Sequence, residues 1–405
     1  MITDRICKSM SDETKNVERN PLWSVTTWDK KFNAVAPGKQ LASIKYHYLL
    51  AADLKSKVVA GGDVKLLTTN ETDLWTTEEC VKGFVSEGEV VTIPWGGNPN
   101  VQYYKGRFVT ADNRIATSSD VKVLDNKYLY YFMLANKDVI GSYYRGAGLK
   151  HPEMAKVLDM EIPLPPIAQQ QKIVRRFDGI VGLIAKRKEQ LAKLDQLVKS
   201  RFVEMFGDVV HKPKFPCKSL DEIADVGSSK RIFQSEYVQQ GIPFYRSKEV
   251  VELSKGKEIT TTLWISRERF ENIKAKFGVP SKGDLLVTAV GTIGQIWIVD
   301  GKSEFYYKDG NLMCIHPGTE LDSVYFRETL SRLIVDYKAT MPQGTAYAAF
   351  TIEMARKLKL PLPPIGEQRK FAAFVAEVDK SEFAGRKRLE KARQLYRAKL
   401  QEYFG

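Results

Sequence analysis

Basic side chains, amides and aromatic rings gather beside turn-forming residues in two stretches of this 405-residue chain. In the first, Asn98 and Asn100 lie in the run Trp95-Gly-Gly-Asn-Pro-Asn100. Tyr103, Tyr104, Lys105 and Arg107 follow it, and Arg145, Lys150 and His151 come later. In the second, the candidates are Lys230, Arg231, Tyr245, Arg246, Lys248, Tyr306, Tyr307, Lys308 and Gln343. Lys and Arg neutralise phosphates, and Arg, Lys, Asn and Gln can bond base edges. The combination suits a reader of double-stranded DNA, although a plain surface role also fits each residue taken alone.

Residue patterns for catalysis are sparse. The sequence has no Asn/Asp-Pro-Pro-Tyr/Phe tetrapeptide of the kind that grips an exocyclic amine in amino-methyltransferases. Gly301-Lys302-Ser303 ends like a phosphate-binding loop, but Ile296 stands where its first glycine is required, so it reads as a turn. His47, His151, His211 and His316 are isolated and lack metal-ligand spacing. Asp284 and Glu304 with Lys302 or Lys308 do not make a nuclease cluster. Cys7, Cys80, Cys217 and Cys314 are far apart, as expected of reduced thiols in a cytoplasm. No catalytic residue, metal ligand or cofactor site is expected in this chain. No apolar run is long enough for a membrane helix, and no signal peptide is evident, so no membrane partner is expected.

The net charge of +13 and pI near 9.3 draw polyanions. Residues 167–206 carry +5 of that charge and residues 365–404 carry +4. The remainder of the chain is only mildly basic, so charge alone does not locate a binding surface.

Those two basic segments belong to an internal repeat. Pro163-Leu164-Pro165-Pro166-Ile167 recurs as Pro361-Leu362-Pro363-Pro364-Ile365, and the offset of 198 residues holds without a gap to Phe206-Gly207 and Phe404-Gly405. Gln170, Lys172, Leu191, Gln196 and Glu204 find identical partners in Gln368, Lys370, Leu389, Gln394 and Glu402. Upstream, Glu153-Met-Ala-Lys156 and Glu353-Met-Ala-Arg356 recur with a small shift. Pro21 and Pro216 are a weaker echo, each opening a segment that reads as a strand.

Both matched stretches read as long helices, with proline at the first turn and glycine at the end. Apolar residues fall in steps of three and four at Ile173, Phe177, Ile180, Ile184, Leu191, Leu194, Val198, Phe202 and Met205; Arg187 fills the one expected position that is not apolar. The second copy gives Phe371, Val375, Val378, Leu389, Ala392, Tyr396, Leu400 and Tyr403. This heptad seam predicts that the two helices, each roughly 55–60 Å long, pair antiparallel. Gly179, Gly182 and Gly385 interrupt them, permitting either close approach or a kink.

The elements outside the helices read as mixed α/β. Residues 63–69, 88–95 and 103–108 predict strands, and 125–135 an amphipathic helix. In the second half, 283–288, 296–299 and 312–315 predict strands and 323–338 a helix. The expected organisation is a first recognition domain over 1–162, a proline box and long helix over 163–207, a second domain over 208–360, and a second box and helix over 361–405. The fold class is α+β: two mixed α/β domains joined by a two-helix antiparallel coiled coil, with a pseudo-twofold internal repeat.

This arrangement closely resembles the specificity subunits of type I restriction-modification systems. The resemblance spans essentially the whole chain. It rests on Pro163-Leu-Pro-Pro-Ile-Ala-Gln-Gln170 and Pro361-Leu-Pro-Pro-Ile-Gly-Glu-Gln368, on Phe206-Gly207-Asp208, and on Gly283-Asp-Leu-Leu286 followed by Gly291-Thr-Ile-Gly294. The family prefers Glu-Gln after the isoleucine; Gln169-Gln170 departs from this. The resemblance implies a non-catalytic DNA-binding subunit in a prokaryotic cytoplasm. Each domain would read half of a split site on double-stranded DNA while the helices set the spacer. Its partners would be two modification subunits, which use S-adenosylmethionine, and two restriction subunits, which use ATP and Mg2+. Two other readings stay open: a coiled-coil adaptor with two protein-binding domains, and part of a bifunctional restriction-methylation enzyme. The runs Lys186-Arg187-Lys188 and Arg386-Lys387-Arg388 are assigned to water or partner contact rather than to DNA.

Overall fold

The computed structural model describes residues 17–29, 43–44, 46–69, 73–259, 263–340 and 349–405. The chain divides into two compact units, Met1–Lys188 with Lys387–Gly405, and Glu189–Arg386. Each unit therefore takes in part of both long helices, Ile167–Phe206 and Ile365–Phe404, which are 40 residues each.

In the first unit the long strands Ser86–Pro94, Gln102–Ala111 and Arg114–Ser119 form the centre of an eight-stranded sheet. The helix Asn126–Ala135 packs its Tyr128, Leu129, Phe132 and Met133 into the core beneath. Asp125 caps it by accepting from the amides of Lys127 and Tyr128 at 2.9 and 3.0 Å, satisfying two otherwise unpaired donors.

The second unit builds two four-stranded sheets instead. One runs in the order Ala224–Gly227, Leu312–Pro317, Leu285–Thr288, Ile296–Ile298, and is antiparallel throughout. The other runs in the order Tyr237–Val238, Trp264–Ile265, Ile242–Tyr245, Tyr306–Tyr307. Its last pair is parallel, with Phe244 opposite Tyr306 and Tyr245 opposite Tyr307. The helix Ser323–Thr340 buries Tyr325, Phe326, Leu330 and Ile334, and Asp322 caps it through the amides of Val324 and Tyr325.

The proline boxes fold alike in both units. Strand Glu161–Pro163 pairs with Arg19–Pro21, and Lys359–Pro361 pairs with Cys217–Ser219. Arg19 and Cys217 hold equivalent places, as do Pro163 and Pro361, so the offset of 198 extends to these strands. This corrects the expected echo of Pro21 with Pro216. The amide of Leu164 donates to Glu18, and that of Leu362 donates to Pro216, so Pro216 corresponds to Glu18. The prolines at 165–166 and 363–364 have no N–H to lose where the helix begins.

Antiparallel pairing of the helices is visible inside each unit. In the first, Phe177 near the start of one helix meets Tyr396, Tyr403 and Phe404 at the end of the other, with ring centroids 5.8–6.0 Å apart. In the second, Phe202 and Phe206 meet Phe371 at 5.4 and 5.6 Å. Ile173, Phe177, Phe202, Phe371, Val375, Val378, Leu389, Ala392 and Leu400 are buried. Ile180, Ile184, Leu191, Leu194, Val198 and Tyr396 are half-buried. Leu191 lies 3.0 Å from where a β-carbon on Gly385 would sit, so this glycine permits close approach. Gly179 and Gly182 face open space.

Each helix end also enters a domain core. Phe404 packs on Tyr128 at 5.0 Å in the first unit, and Phe206 on Tyr325 at 4.7 Å in the second. Burying one such ring contributes about 1.5–3 kcal/mol. None of the described helices is long and apolar enough to cross a membrane.

Candidate nucleic-acid interface

In the first unit the loop after Ser86–Pro94 is held from three sides. The amide of Trp95 donates to the Asn113 carbonyl at 2.7 Å, and that of Gly97 donates to the Lys150 carbonyl at 3.1 Å. His151 Nδ1 lies 2.7 Å from the Trp95 carbonyl, with its ring 5.6 Å from the indole. Arg114, fully buried, bonds Asn100 Oδ1 at 2.8 Å and the Thr92 carbonyl at 2.9 Å. Gly146 has φ +138°, and a β-carbon there would strike the Leu149 carbonyl at 2.6 Å, so the turn that returns Lys150 and His151 to the loop requires glycine.

These restraints frame an open cavity of about 450 Å³ lined by Trp95, Asn98, Asn100, Asn113, Lys137, Leu149 and His151. Its walls offer an indole face, three amides, a cation and an imidazole. The Asn113 Oδ1 is buried with no partner among the described residues, an acceptor open to an incoming donor. Lys137 escaped sequence reasoning because it stands outside any basic run; Asn113 lies in the Asp112-Asn113 turn between two strands, a signal that could have found it.

Other residues expected at this interface are engaged elsewhere. The Tyr103 hydroxyl donates to Glu89 at 2.6 Å, and its ring packs against Tyr130. Tyr104 packs edge-on against Trp75 and Phe108. Arg107 pairs with both Asp63, at 2.6 Å, and Glu78, and its pKa is raised, chiefly by the Glu78 bond. Lys105 is exposed beside Glu89 at 3.3 Å, and Arg145 pairs with Glu153 at 3.1 Å.

The second unit arranges its cations around a strand edge. Because Tyr245 and Tyr307 are opposed in a parallel pair, Arg246 and Lys308 leave adjacent strand ends, and the Lys308 amide donates to the Tyr245 carbonyl at 2.9 Å. Lys230 donates its amide to the Tyr306 hydroxyl at 2.6 Å, and its ammonium sits 4.4 Å from the Phe277 ring centre. Arg231 pairs with Asp309 at 2.7 Å, and Arg246 with Glu249 at 3.2 Å. Lys248 is exposed on the first turn of the helix Ser247–Ser254. Partial neutralisation holds these long side chains in place while leaving them at the surface.

Tyr245, Tyr306 and Tyr307 overturn the expectation that they reach a ligand. They are 2–6% exposed and lie in the core of the second sheet, where Tyr245 stacks on Phe305 at 4.6 Å. Consecutive residues of a strand point to opposite faces, so burial of both Tyr306 and Tyr307 means that both faces of this strand are covered. Gln343 lies outside the described residues.

The sequence model of one family, described as the type I restriction modification DNA specificity domain, matches residues 37–196 and 214–392. The chain belongs to this family. It is 26% identical over 334 residues to a Haemophilus influenzae protein named as a type I restriction enzyme specificity subunit, covering 80% of this chain and 82% of that one. It is 23% identical over 327 residues to the MjaVIII specificity subunit of Methanocaldococcus jannaschii, covering 73% of each. The fold matches the crystal structure of the Mycoplasma genitalium type I S subunit with a TM-score of 0.59 at 15% identity, covering 96% of this chain and 97% of that one. A chain from a structural study of type I complex assembly matches at a TM-score of 0.55 with the same identity and coverage. As a member of the type I specificity family, this chain carries that fold on two sheet systems of different design.

Proposed function

We propose that the chain gives a type I restriction-modification complex its DNA specificity, each unit reading one half of a bipartite duplex site. The observation that carries this reading is the pairing of two identical mounts with two unlike surfaces. The first unit offers a cavity of amides and an imidazole suited to base edges; the second offers a cationic strand edge suited to phosphates and guanines. In the first, Asn98, Lys150 and His151 are the contact residues, joined by Lys137 and Asn113, while Asn100 is held by Arg114 and shapes the cavity wall. In the second they are Lys230, Arg231, Arg246, Lys248 and Lys308. The 40-residue helices set the distance between half-sites and dock two modification subunits, which supply the methyl donor and the chemistry; two restriction subunits complete the complex. This work takes place in a prokaryotic cytoplasm.

The test is to insert one heptad into each long helix at matching heights and map methylated adenines. Seven residues add about 10 Å, or about three base pairs. The half-sites should stay the same while the spacer lengthens; an unchanged spacer overturns the ruler. A coiled-coil adaptor for proteins would instead show no salt-dependent binding to duplex DNA.

A further inference from the structure

Three strands of the second unit, Ala224–Gly227, Leu312–Pro317 and Leu285–Thr288, lie side by side with Asp225 opposite His316, Gly227 opposite Cys314, and Leu286 opposite Cys314. Opposed residues of antiparallel strands share a face, as do residues two apart. Asp225, His316 and Cys314 therefore occupy one face, and Asp284, just ahead of its strand, extends the row beside His316. The Asp284 carboxylate, Cys314 Sγ and a His316 ring nitrogen all lie within 4.8 Å of one another, with Asp284 Oδ2 2.8 Å from His316 Nδ1. Asp284 and Cys314 are buried; His316 is half-buried. A cavity of about 110 Å³ adjoins them, bordered by Asp225, Ser229, Tyr307, Cys314 and His316. The Ser229 hydroxyl is buried there without a partner among the described residues.

We propose that Asp284, Cys314 and His316 bind one zinc ion, or a divalent ion of similar size and softness, with the fourth position supplied from the cavity. One carboxylate, one thiolate and one imidazole form a donor set that selects zinc over magnesium or calcium, which take oxygen ligands. Tetrahedral bonds of about 2.0–2.3 Å place donors roughly 3.3–3.6 Å apart. The Asp284–His316 pair therefore has to open by about half an ångström, and Cys314 Sγ, within 4.8 Å of the other donors, has to draw in by up to about 1.2 Å. Asp284 Oδ2, which also accepts from the amide and hydroxyl of Ser281, stays anchored as it does so. A hydrogen-bonded Asp–His pair explains two of the donors. It does not explain the thiol within reach of both, or the polar cavity with an unpaired hydroxyl beside them. The ion would clip the strand Leu312–Pro317 to the start of Leu285–Thr288, beside the segment that carries Lys230, which borders the same cavity.

The experiment titrates the reduced full-length chain with Co2+ and follows the visible and near-ultraviolet spectrum, then displaces the cobalt with Zn2+. One ion per chain is expected, with the intense bands of tetrahedral cobalt and a thiolate charge-transfer band. Cys314→Ser and His316→Gln should each weaken binding at least about tenfold. Cys80→Ser and Cys217→Ser, at exposed positions, should leave it unchanged. Circular dichroism checks each fold, and the half-buried His316→Gln decides if Cys314→Ser does not fold. Uptake no greater than that of His316→Gln, or a cobalt spectrum without the thiolate band, overturns the proposal. Neither readout uses DNA, so the result is independent of the specificity reading.

Discussion

The surroundings of Gln170 and of Gln368 are almost the same structure written twice. Gln170 Oε1 accepts from the Asp125 amide at 2.9 Å, and its Nε2 donates to the carbonyls of Val123 and Pro165 at 2.9 and 2.8 Å. Gln368 accepts from Asp322 at 2.9 Å and donates to Glu320 and Pro363 at 2.9 and 2.8 Å. Tyr128 bonds the Pro163 carbonyl, and Tyr325 bonds the Pro361 carbonyl. Both glutamines are fully buried. Each ties the start of a long helix to the loop before a capped domain helix. Beyond these latches the likeness stops: one unit has an eight-stranded sheet with a loop cavity, the other two four-stranded sheets with a cationic edge. The duplication has kept the mount and released the surface. Under the proposed function, that division would let two half-sites be read by unlike surfaces on like mounts.

If the mounts are equivalent, equivalent damage should cost the same. Phe206→Ala and Phe404→Ala each remove a fully buried ring that packs edge-on against a tyrosine of the domain's capped helix. Each should lower stability by about 3–5 kcal/mol in denaturant unfolding. A large inequality between the two would break the comparison. Next in size, Gln170→Leu and Gln368→Leu leave one amide and two carbonyls unpaired and should each cost about 2–3 kcal/mol by the same measurement. Only one glutamine proving sensitive would mean that the second latch is decorative.

The surfaces should respond unequally. Asn98→Ala with His151→Ala should cost about 1–3 kcal/mol in duplex binding and relax the sequence preference of one half-site only. Lys230→Ala should weaken binding to all sequences alike and reduce the salt slope by roughly one. Binding assays over a salt series, with randomised half-sites, separate these outcomes. Loss of preference on Lys230→Ala would show that Lys230 itself reads a base where we expect it to contact phosphate.

Much of the scaffold was legible because it repeats and because helices announce themselves. Phe177, Phe202, Phe371 and Leu400 fall on a heptad seam, and burial on that seam needs only the 3.6-residue period and one partner. The prolines and glycines that bound the helices act through local backbone geometry, so they too could be read directly. The candidate surfaces were less legible. Tyr306 and Tyr307 look like contact residues beside Lys308 until the sheet covers both their faces. Arg107 looks available until Asp63 and Glu78, 44 and 29 residues away in sequence, engage it.

The sequence by itself therefore determined the duplication, the two long helices, their seam and the family. Those depend on order and period along the chain. Tertiary structure alone decided which polar residues remain available, because availability depends on partners brought from distant segments. Arg114 takes up Asn100, Asn113 is left with an unpaired acceptor in the cavity, and Asp284 meets Cys314 and His316 across neighbouring strands. No spacing in the sequence encodes those meetings, since sheet register sets them only once the chain has folded.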